Sequence, residues 1–227
     1  RQTARKAARL AQVTYEELDF IPDIRSSEAN GKTLVCPGLK LEKGDVSIAL
    51  AKPSRRLSGE IEIGGQDHFY LEGHVSLSVP GEDDDLTVFS STQHPSEVQH
   101  MVAKALRISS HSVKVEVRRM GGGFGGKETQ SNQFAVISAL AAVRNNCAVK
   151  LRLDRDDDMI CTGKRHDIIA RYDLAFDDNG YIAGLDLRLS ARCGFSSDLS
   201  GPVTDRALFH VDNCYYFPAA RLRSYPL

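Results

Sequence analysis

Residues Arg119 to Gln130 read RMGGGFGGKETQ, five glycines around one phenylalanine, with a lysine and a glutamate at the exit. Glycines remove the Cβ atoms that keep a ligand at a distance and permit positive φ, so such a turn ahead of a helix offers amide N–H groups to an electron-rich ligand atom. An anion or an oxo group suits that chemistry. GGFGGK superficially matches a phosphate loop, but the spacing GxxxxGK[ST] fails, because Glu128 stands where Ser or Thr would hold magnesium. Gly121, Gly123 and Gly126 satisfy GxGxxG, a weak signal by itself. A tight strand-to-helix turn around a packed phenylalanine explains the same composition without any ligand.

Other residues with chemical potential have ordinary explanations. His94 and His100 flank a helix start and read as surface or packed histidines. Asp154, Asp156, Asp157 and Asp158 resemble a magnesium cluster, but the LDRDDD run follows a strand and reads as a solvated or arginine-paired turn. Asp83 to Asp85 read as a hairpin tip. Glu128, just before a helix, could answer the helix dipole, an effect of a few tenths to about 1 kcal/mol.

These residues must be positioned by the surrounding elements. Residues 1–12 have helical spacing of alanines, and Val13 to Leu18 read as a short strand. The prolines, glycine and polar residues from Asp19 to Leu39 read as an irregular connection. Leu71 to Val79 alternates, PGEDDD turns the chain, and LTVFSS returns it as a hairpin. PSEVQHMVAKAL then places Val98, Met101, Val102 and Leu106 on one helical face, with Pro95 suited to the first turn. A strand at Val113–Val117 leads into the glycine loop, and a second helix (Phe134, Ile137, Leu140, Ala141) and the strand AVKLRL follow it. This gives a pair of linked β-α-β units. The run RYDLAFDDNGYIAGLDLRLS is a second hairpin with Asp-Asn-Gly turn chemistry. The expected class is α+β (mixed α/β), with β-α-β units around the loop and flanking antiparallel hairpins.

The chain has 227 residues, is 41% hydrophobic and 26% charged, and carries a formal net charge of −1. That composition suits a soluble globular protein and argues against nucleic acid or an anionic membrane as partner. Its longest apolar run is far short of a membrane span. Cys36, Cys147, Cys161, Cys193 and Cys214 form no CxxC pair and are odd in number, which suits reduced thiols in a cytosolic protein. The first residues lie inside a helical pattern and RLRSYPL has no helix stop, so the sequence reads as an internal piece of a longer polypeptide.

Together, RRMGGGFGGKETQ, GGQDHFYLEG (64–73), SSTQHPSEVQ (90–99), LDRDDDMICTGKRH (153–166) and FSSDLSGPVTDRALFHVDNCY (195–215) resemble the molybdenum-cofactor subunit of bacterial xanthine dehydrogenases. These belong to the xanthine oxidase family of molybdenum hydroxylases, and the resemblance covers nearly the whole chain. It implies that Gln93 hydrogen-bonds an oxo ligand of molybdenum, a role that suits a side-chain amide because it donates without adding charge. It also implies that the main-chain N–H at Phe124 serves the molybdopterin cofactor, with Gly123 and Gly125 leaving the backbone bare on either side. Glu128 would hydrogen-bond a purine, since aldehyde-oxidising relatives generally lack a carboxylate there. GGQDHFYLEG, Gln66 included, would support the site from beside it.

The resemblance further implies that the pterin dithiolene holds the metal, so no side chain ligates it directly. The catalytic base is expected downstream, and none is assigned within these residues. Residues 1–25 would end a small hammerhead-like α/β domain, 26–40 would be a linker, and 41–227 would begin the molybdenum-cofactor-binding domain. The implied reaction is hydroxylation of hypoxanthine and xanthine towards urate. Electrons would pass through 2Fe–2S clusters and FAD on other domains or subunits to NAD, in a cytoplasmic hetero-oligomer, and the 227 residues alone would be inactive. The alternatives are an aldehyde or N-heterocycle hydroxylase of the same family, a glycine-loop nucleotide-binding module relying on Lys127, and a non-catalytic structural segment.

Overall fold

The computed structural model describes residues 2–31, 34–53 and 55–227. In chain order its elements begin with α1 (Gln2–Leu10), α2 (Ile24–Ala29), β1 (Lys40–Lys43), α3 (Val46–Ala51), β2 (Arg55–Ile63), β3 (Val75–Pro80), β4 (Leu86–Ser90) and α4 (Pro95–Leu106). They continue with β5 (Val113–Glu116), α5 (Ser131–Asn145), β6 (Val149–Arg152), α6 (Arg155–Cys161), β7 (Ile168–Phe176), β8 (Ile182–Ala191), α7 (Ser200–Phe209) and β9 (Ala219–Pro226). The strands form two sheets, ordered β5-β4-β3-β6 and β1-β9-β8-β7-β2. This is the mixed α+β architecture expected from the alternating periods.

The smaller sheet carries the site. β3 and β4 form the expected hairpin, with Leu77 opposite Phe89 and the acidic tip at Asp83–Asp85. α4 returns the chain so that β5 lies parallel to β4, an ordinary β-α-β unit. The second expected unit takes a longer course. From β5 the chain passes through the glycine loop and α5, and β6 then pairs antiparallel with β3 on the opposite edge. Between sheet and helices, Leu86, Val88, Val98, Val102, Ala103, Val113, Ala135 and Ala139 form a dry core. Small residues on α5 allow close approach to the sheet: Ser138 Oγ lies 2.8 Å from Ser78 Oγ and donates to Ser76 Oγ at 3.0 Å. These bonds satisfy hydroxyls that burial would otherwise penalise.

In the larger sheet β2, β7 and β8 are antiparallel, β8 and β9 are parallel, and β1 closes one edge. α7 covers it through Leu208 against Ala170, Leu185, Leu187, Ala220 and Leu222. The sequence expectations need correction at several points. Asp19–Leu39, read as an irregular connection, contains α2, which Asp23 caps. Met101, Ile137 and Leu140, read on the apolar helix faces, are exposed; on α5 the small residues Ala135, Ser138, Ala139 and Ala142 turn towards the sheet instead. Val13–Leu18 is not a strand: it has no partner strand among the described residues, and Leu10, Val13, Tyr15, Leu18 and Phe20 are 64–83% exposed. The LDRDDD run is not a turn but the start of α6. Asp154 caps it by accepting the Asp157 N–H at 2.9 Å, and Asp156, Asp157 and Asp158 lie in the first turn, where the helix dipole favours them.

Candidate functional site

Residues 117–130 belong to neither helix nor strand, and the glycine loop crosses from β5 to α5 there. Gln93 lies in the short connection from β4 to α4. Its side chain reaches across to the loop, where Oε1 accepts the N–H of Gly125 at 3.0 Å and of Lys127 at 3.1 Å. Two converging N–H donors require the carbonyl oxygen on that side, so the amide NH2 faces away from the loop. Among the described residues that NH2 has no hydrogen-bond partner, and Gln93 is exposed. The Gln93 main chain is fixed as well, its N–H donating to Lys127 O at 2.8 Å.

The loop itself is strained into shape. Phe124 has φ +53 and Gly125 φ +90, left-handed values that are costly for a side chain other than glycine. Gly123 is glycine for space: a Cβ there would fall on Gln93, 2.7 Å from Cδ and 2.9 Å from Cγ. Gly126 donates to Gly123 O at 2.8 Å and closes a turn around Phe124. The Phe124 N–H makes no hydrogen bond among the described residues, and its ring is 64% exposed. The Gln93 amide and the Phe124 N–H are thus free donors at this loop, and the N–H groups of Gly122 and Gly123 likewise make no hydrogen bond among the described residues.

Glu128 is half-buried and makes no hydrogen bond or ion pair among the described residues. It also lies outside the first turn of α5, which contains no acidic residue, so it caps nothing. Its neighbours Thr129 and Gln130 are both held by Asp198 Oδ2, at 2.8 Å and 3.1 Å. This ties the loop exit to the segment ahead of α7, a link across 69 residues that no local motif announces.

Lys127 points the other way. Its side chain is wholly buried, with Nζ 2.8 Å from Ser91 Oγ, 3.1 Å from Glu72 Oε2 and 4.7 Å from the centre of the Tyr70 ring. Burial lowers its pKa, while the Glu72 carboxylate opposes that shift. A lysine so enclosed cannot reach a phosphate, which removes the physical basis of the nucleotide-loop alternative. Below it, Tyr70 donates to Asp158 Oδ1 at 2.6 Å, and Asp158 Oδ2 accepts the His74 N–H at 2.6 Å. Burial and then the Asp158 hydrogen bond push the Tyr70 phenol upward. His74 packs against Tyr70 and Phe134, and burial pushes its imidazole down to about 4 against the pull of Asp158 and of the Gly126 backbone.

The structure thus brings Gln93, Gly123, Phe124 and Gly125 together, with Glu128 at the loop exit. His94 and His100 lie on the surface, His94 paired with Glu97 at 3.0 Å. The sequence did not single out Glu72, which accepts from Gly121 N–H, Ser91 and Lys127. Its position in GGQDHFYLEG was the one available signal.

The fold and the donor-lined loop together define a class. The chain superposes on the aldehyde oxidoreductase of Desulfovibrio gigas with a TM-score of 0.89 at 22% identity, covering 98% of this chain and 25% of that one. It superposes on the quinoline 2-oxidoreductase of Pseudomonas putida 86 with a TM-score of 0.84 at 22% identity, covering 99% and 30%. Residues 27–227 match the molybdopterin cofactor-binding domain, and the chain belongs to that family. Curated relatives include the xanthine dehydrogenase of Drosophila pseudoobscura pseudoobscura, 42% identical over 96% of this chain and 16% of its own length. The xanthine dehydrogenase/oxidase of Mus musculus is likewise 42% identical over 96% and 16%. The xanthine dehydrogenase of Dictyostelium discoideum is 43% identical over 95% and 16%. These three are eukaryotic, whereas the motifs resembled bacterial members. The chain spans about a sixth of the length of the curated relatives it matches.

Proposed function

We propose that this chain is part of a xanthine dehydrogenase-type molybdenum hydroxylase acting on xanthine and hypoxanthine. The observation that carries the reading is a free carboxylate, Glu128, at the exit of a loop beside which unused donors stand, among them the Gln93 amide and the Phe124 N–H. The donors fit a cofactor rich in oxo and pterin acceptors. Gly123 keeps the backbone bare where a Cβ would collide with Gln93. When bound, molybdopterin-held molybdenum supplies oxygen insertion and accepts the two electrons.

The residues of this chain bind and orient. The Gln93 NH2 would donate to an oxo acceptor of the bound cofactor without bringing charge, and the Phe124 N–H would add a second donor. Both are held before the reaction begins, the condition for electrostatic stabilisation without reorganisation. The Phe124 ring gives an apolar wall, and Glu128 accepts from a purine N–H or shares a proton with a ring nitrogen. A purine, with several ring nitrogens, suits this carboxylate better than a simple aldehyde does.

The relatives' names support xanthine as the substrate, and their length supports a full polypeptide that contains the catalytic base and further cofactor contacts. We place the iron–sulfur and FAD partners, NAD as acceptor, hetero-oligomeric assembly and the cytoplasm in the same proposal. Residues 41–227 would begin the cofactor domain, with 26–40 leading into it and 1–25 ending a preceding domain. The exposed apolar residues between Leu10 and Ile21 support such packing elsewhere. The test is kcat/KM for xanthine on the full-length enzyme with Glu128→Ala at equal molybdenum content. A fall of 10-fold or more, about 1.4 kcal/mol at the transition state, is expected. Unchanged turnover would remove Glu128 from the substrate, and absence of xanthine turnover in the unmutated enzyme would overturn the substrate assignment.

A further inference from the structure

Both ends of the glycine loop meet at one carboxylate oxygen. Glu72 Oε2 accepts the Gly121 N–H at 3.0 Å, Ser91 Oγ at 2.6 Å and Lys127 Nζ at 3.1 Å. The Glu72 N–H donates in turn to Gly121 O at 3.2 Å. Gly121 opens the loop and Lys127 closes it. Between them the backbone has no strand or helix ladder to lean on, and a glycine-rich segment loses more conformational freedom on ordering than any other. Its geometry must therefore be imposed by groups outside it. Gln93 Oε1 holds the later part through Gly125 and Lys127, and Glu72 Oε2 holds the ends.

Charge makes the second of these contacts hard to replace. The Lys127 side chain is 0% exposed, and a buried ammonium needs a nearby counter-charge. Among the described residues, Glu72 is the carboxylate at ion-pair distance from it. Loss of that charge would leave Lys127 either to neutralise or to pull the loop end, with its N–H on Gln93, towards water. Ser91, bonded to both Glu72 and Lys127, completes a three-membered polar cluster beneath the loop.

We infer that Glu72 is a positioning residue: paired with the buried Lys127, its carboxylate clamps Gly121 to Lys127 and so sets where the free Phe124 N–H and the Gln93 amide point. The inference rests on the reading that these donors face the molybdenum cofactor. It assigns no proton transfer and no direct substrate contact to Glu72.

The experiment uses the full-length enzyme and two variants, Glu72→Gln and Glu72→Gln/Lys127→Met. The double variant removes the buried ammonium together with its partner, so it folds even if the single variant does not. Four quantities are measured: molybdenum content, hydrogen exchange of peptides covering 119–130 against those covering β7 and β8, the Mo(V) paramagnetic resonance spectrum, and kcat and KM for xanthine. In both variants we expect loop exchange to rise 10-fold or more with β7 and β8 unchanged. The Mo(V) signal should shift, and kcat should fall 10-fold or more while KM stays within threefold. Loop exchange within twofold of the unmutated enzyme would overturn the clamp. So would faster loop exchange with an unaltered Mo(V) signal and kcat, or full recovery of kcat in the double variant, either of which would make the pair a structural contact alone. If the unmutated enzyme holds no molybdenum, the cofactor reading falls, and loop exchange by itself still decides whether Glu72 closes the loop.

Discussion

At the scale of single residues, Gln93 divides its side chain between two tasks. Its oxygen accepts from Gly125 and Lys127, which leaves the NH2 for a ligand. Gln93→Glu keeps an acceptor for both amides but replaces the donor with a second acceptor, which would face an oxo group with like polarity. We expect kcat to fall about 100-fold, the range seen when a preorganised donor is removed, with the thermal midpoint nearly unchanged. Steady-state kinetics beside a melting curve checks both halves. His74 supplies a different test. Its pKa is pushed from 6.5 down to about 4 by burial, so between these values the unfolded chain holds a proton that the folded chain does not. The stabilisation is complete above pH 6.5 and declines as pH falls towards 4, by on the order of 3 kcal/mol in all. His74→Leu should flatten that decline, and urea midpoints measured at pH 7 and pH 5 for both proteins would reveal it. If the two proteins lose stability equally on acidification, His74 is not the group responsible. RMGGGFGGKETQ could be read because close approach demands glycine and leaves a visible trace. Glu72 could not, because its partners Gly121 and Lys127 lie 49 and 55 residues away and meet it only when the chain entering β3 passes under the loop.

At the scale of elements, local period was a good guide where one face meets a core and a poor one where the neighbours decide. The alternation of β3 and β4 and the 3.6-residue spacing of α4 were legible because Leu86, Val88, Val98 and Val102 each need the same dry interior. The strand read at Val13–Leu18 failed because a strand also needs a partner edge, and composition does not report one. The acidic run at Asp154–Asp158 misled for the opposite reason. Its charges looked solvated, yet Asp154 caps α6 and Asp158 turns inward to Tyr70 and His74. Asp154→Ala should therefore cost about 1 kcal/mol, the usual value of an N-cap, visible as a lower unfolding midpoint. Gly123→Ala should act on the loop instead. The added methyl would collide with the Gln93 side chain, so Gln93 must leave its two amide contacts or the loop must open. A loss of bound molybdenum or of kcat by 10-fold or more is expected, and wild-type loading with wild-type kcat would show that the close approach of loop and glutamine is dispensable.

At the scale of the molecule, the loop is only as well placed as the segments it is bonded to, and some joints between distant segments are ionic. Glu28, on α2, shows what such a joint contributes. Its Oε1 accepts from Arg171 at 2.9 Å on β7, and from Arg188 at 2.6 Å and Ser190 at 2.7 Å on β8. Its side chain is 14% exposed, so solvent screens these contacts little. Burial alone would raise the carboxyl, but the Ser190 hydroxyl and the two guanidinium groups bring its pKa below the ordinary value. A depressed carboxylate stabilises the fold above its unfolded pKa, near 4.5, and loses that contribution as pH falls through the folded value. Removing the charge leaves Arg171 with Glu60 alone as its carboxylate and Arg188 with a neutral acceptor, while Arg188 Nε has no hydrogen-bond partner among the described residues. Glu28→Gln should therefore cost about 2 kcal/mol at pH 7, below the range for a fully buried pair because some solvent remains. Because that contribution fades as pH falls below the unfolded value, the gap between the two proteins should be smaller at pH 3 than at pH 7. Hydrogen exchange of α2 separates this from a general weakening. A joint that holds α2 to the sheet predicts fast exchange in residues 24–29 at pH 7 with β8 and the glycine loop protected as before, whereas equal loosening of the loop would mean that the sheet itself depends on Glu28.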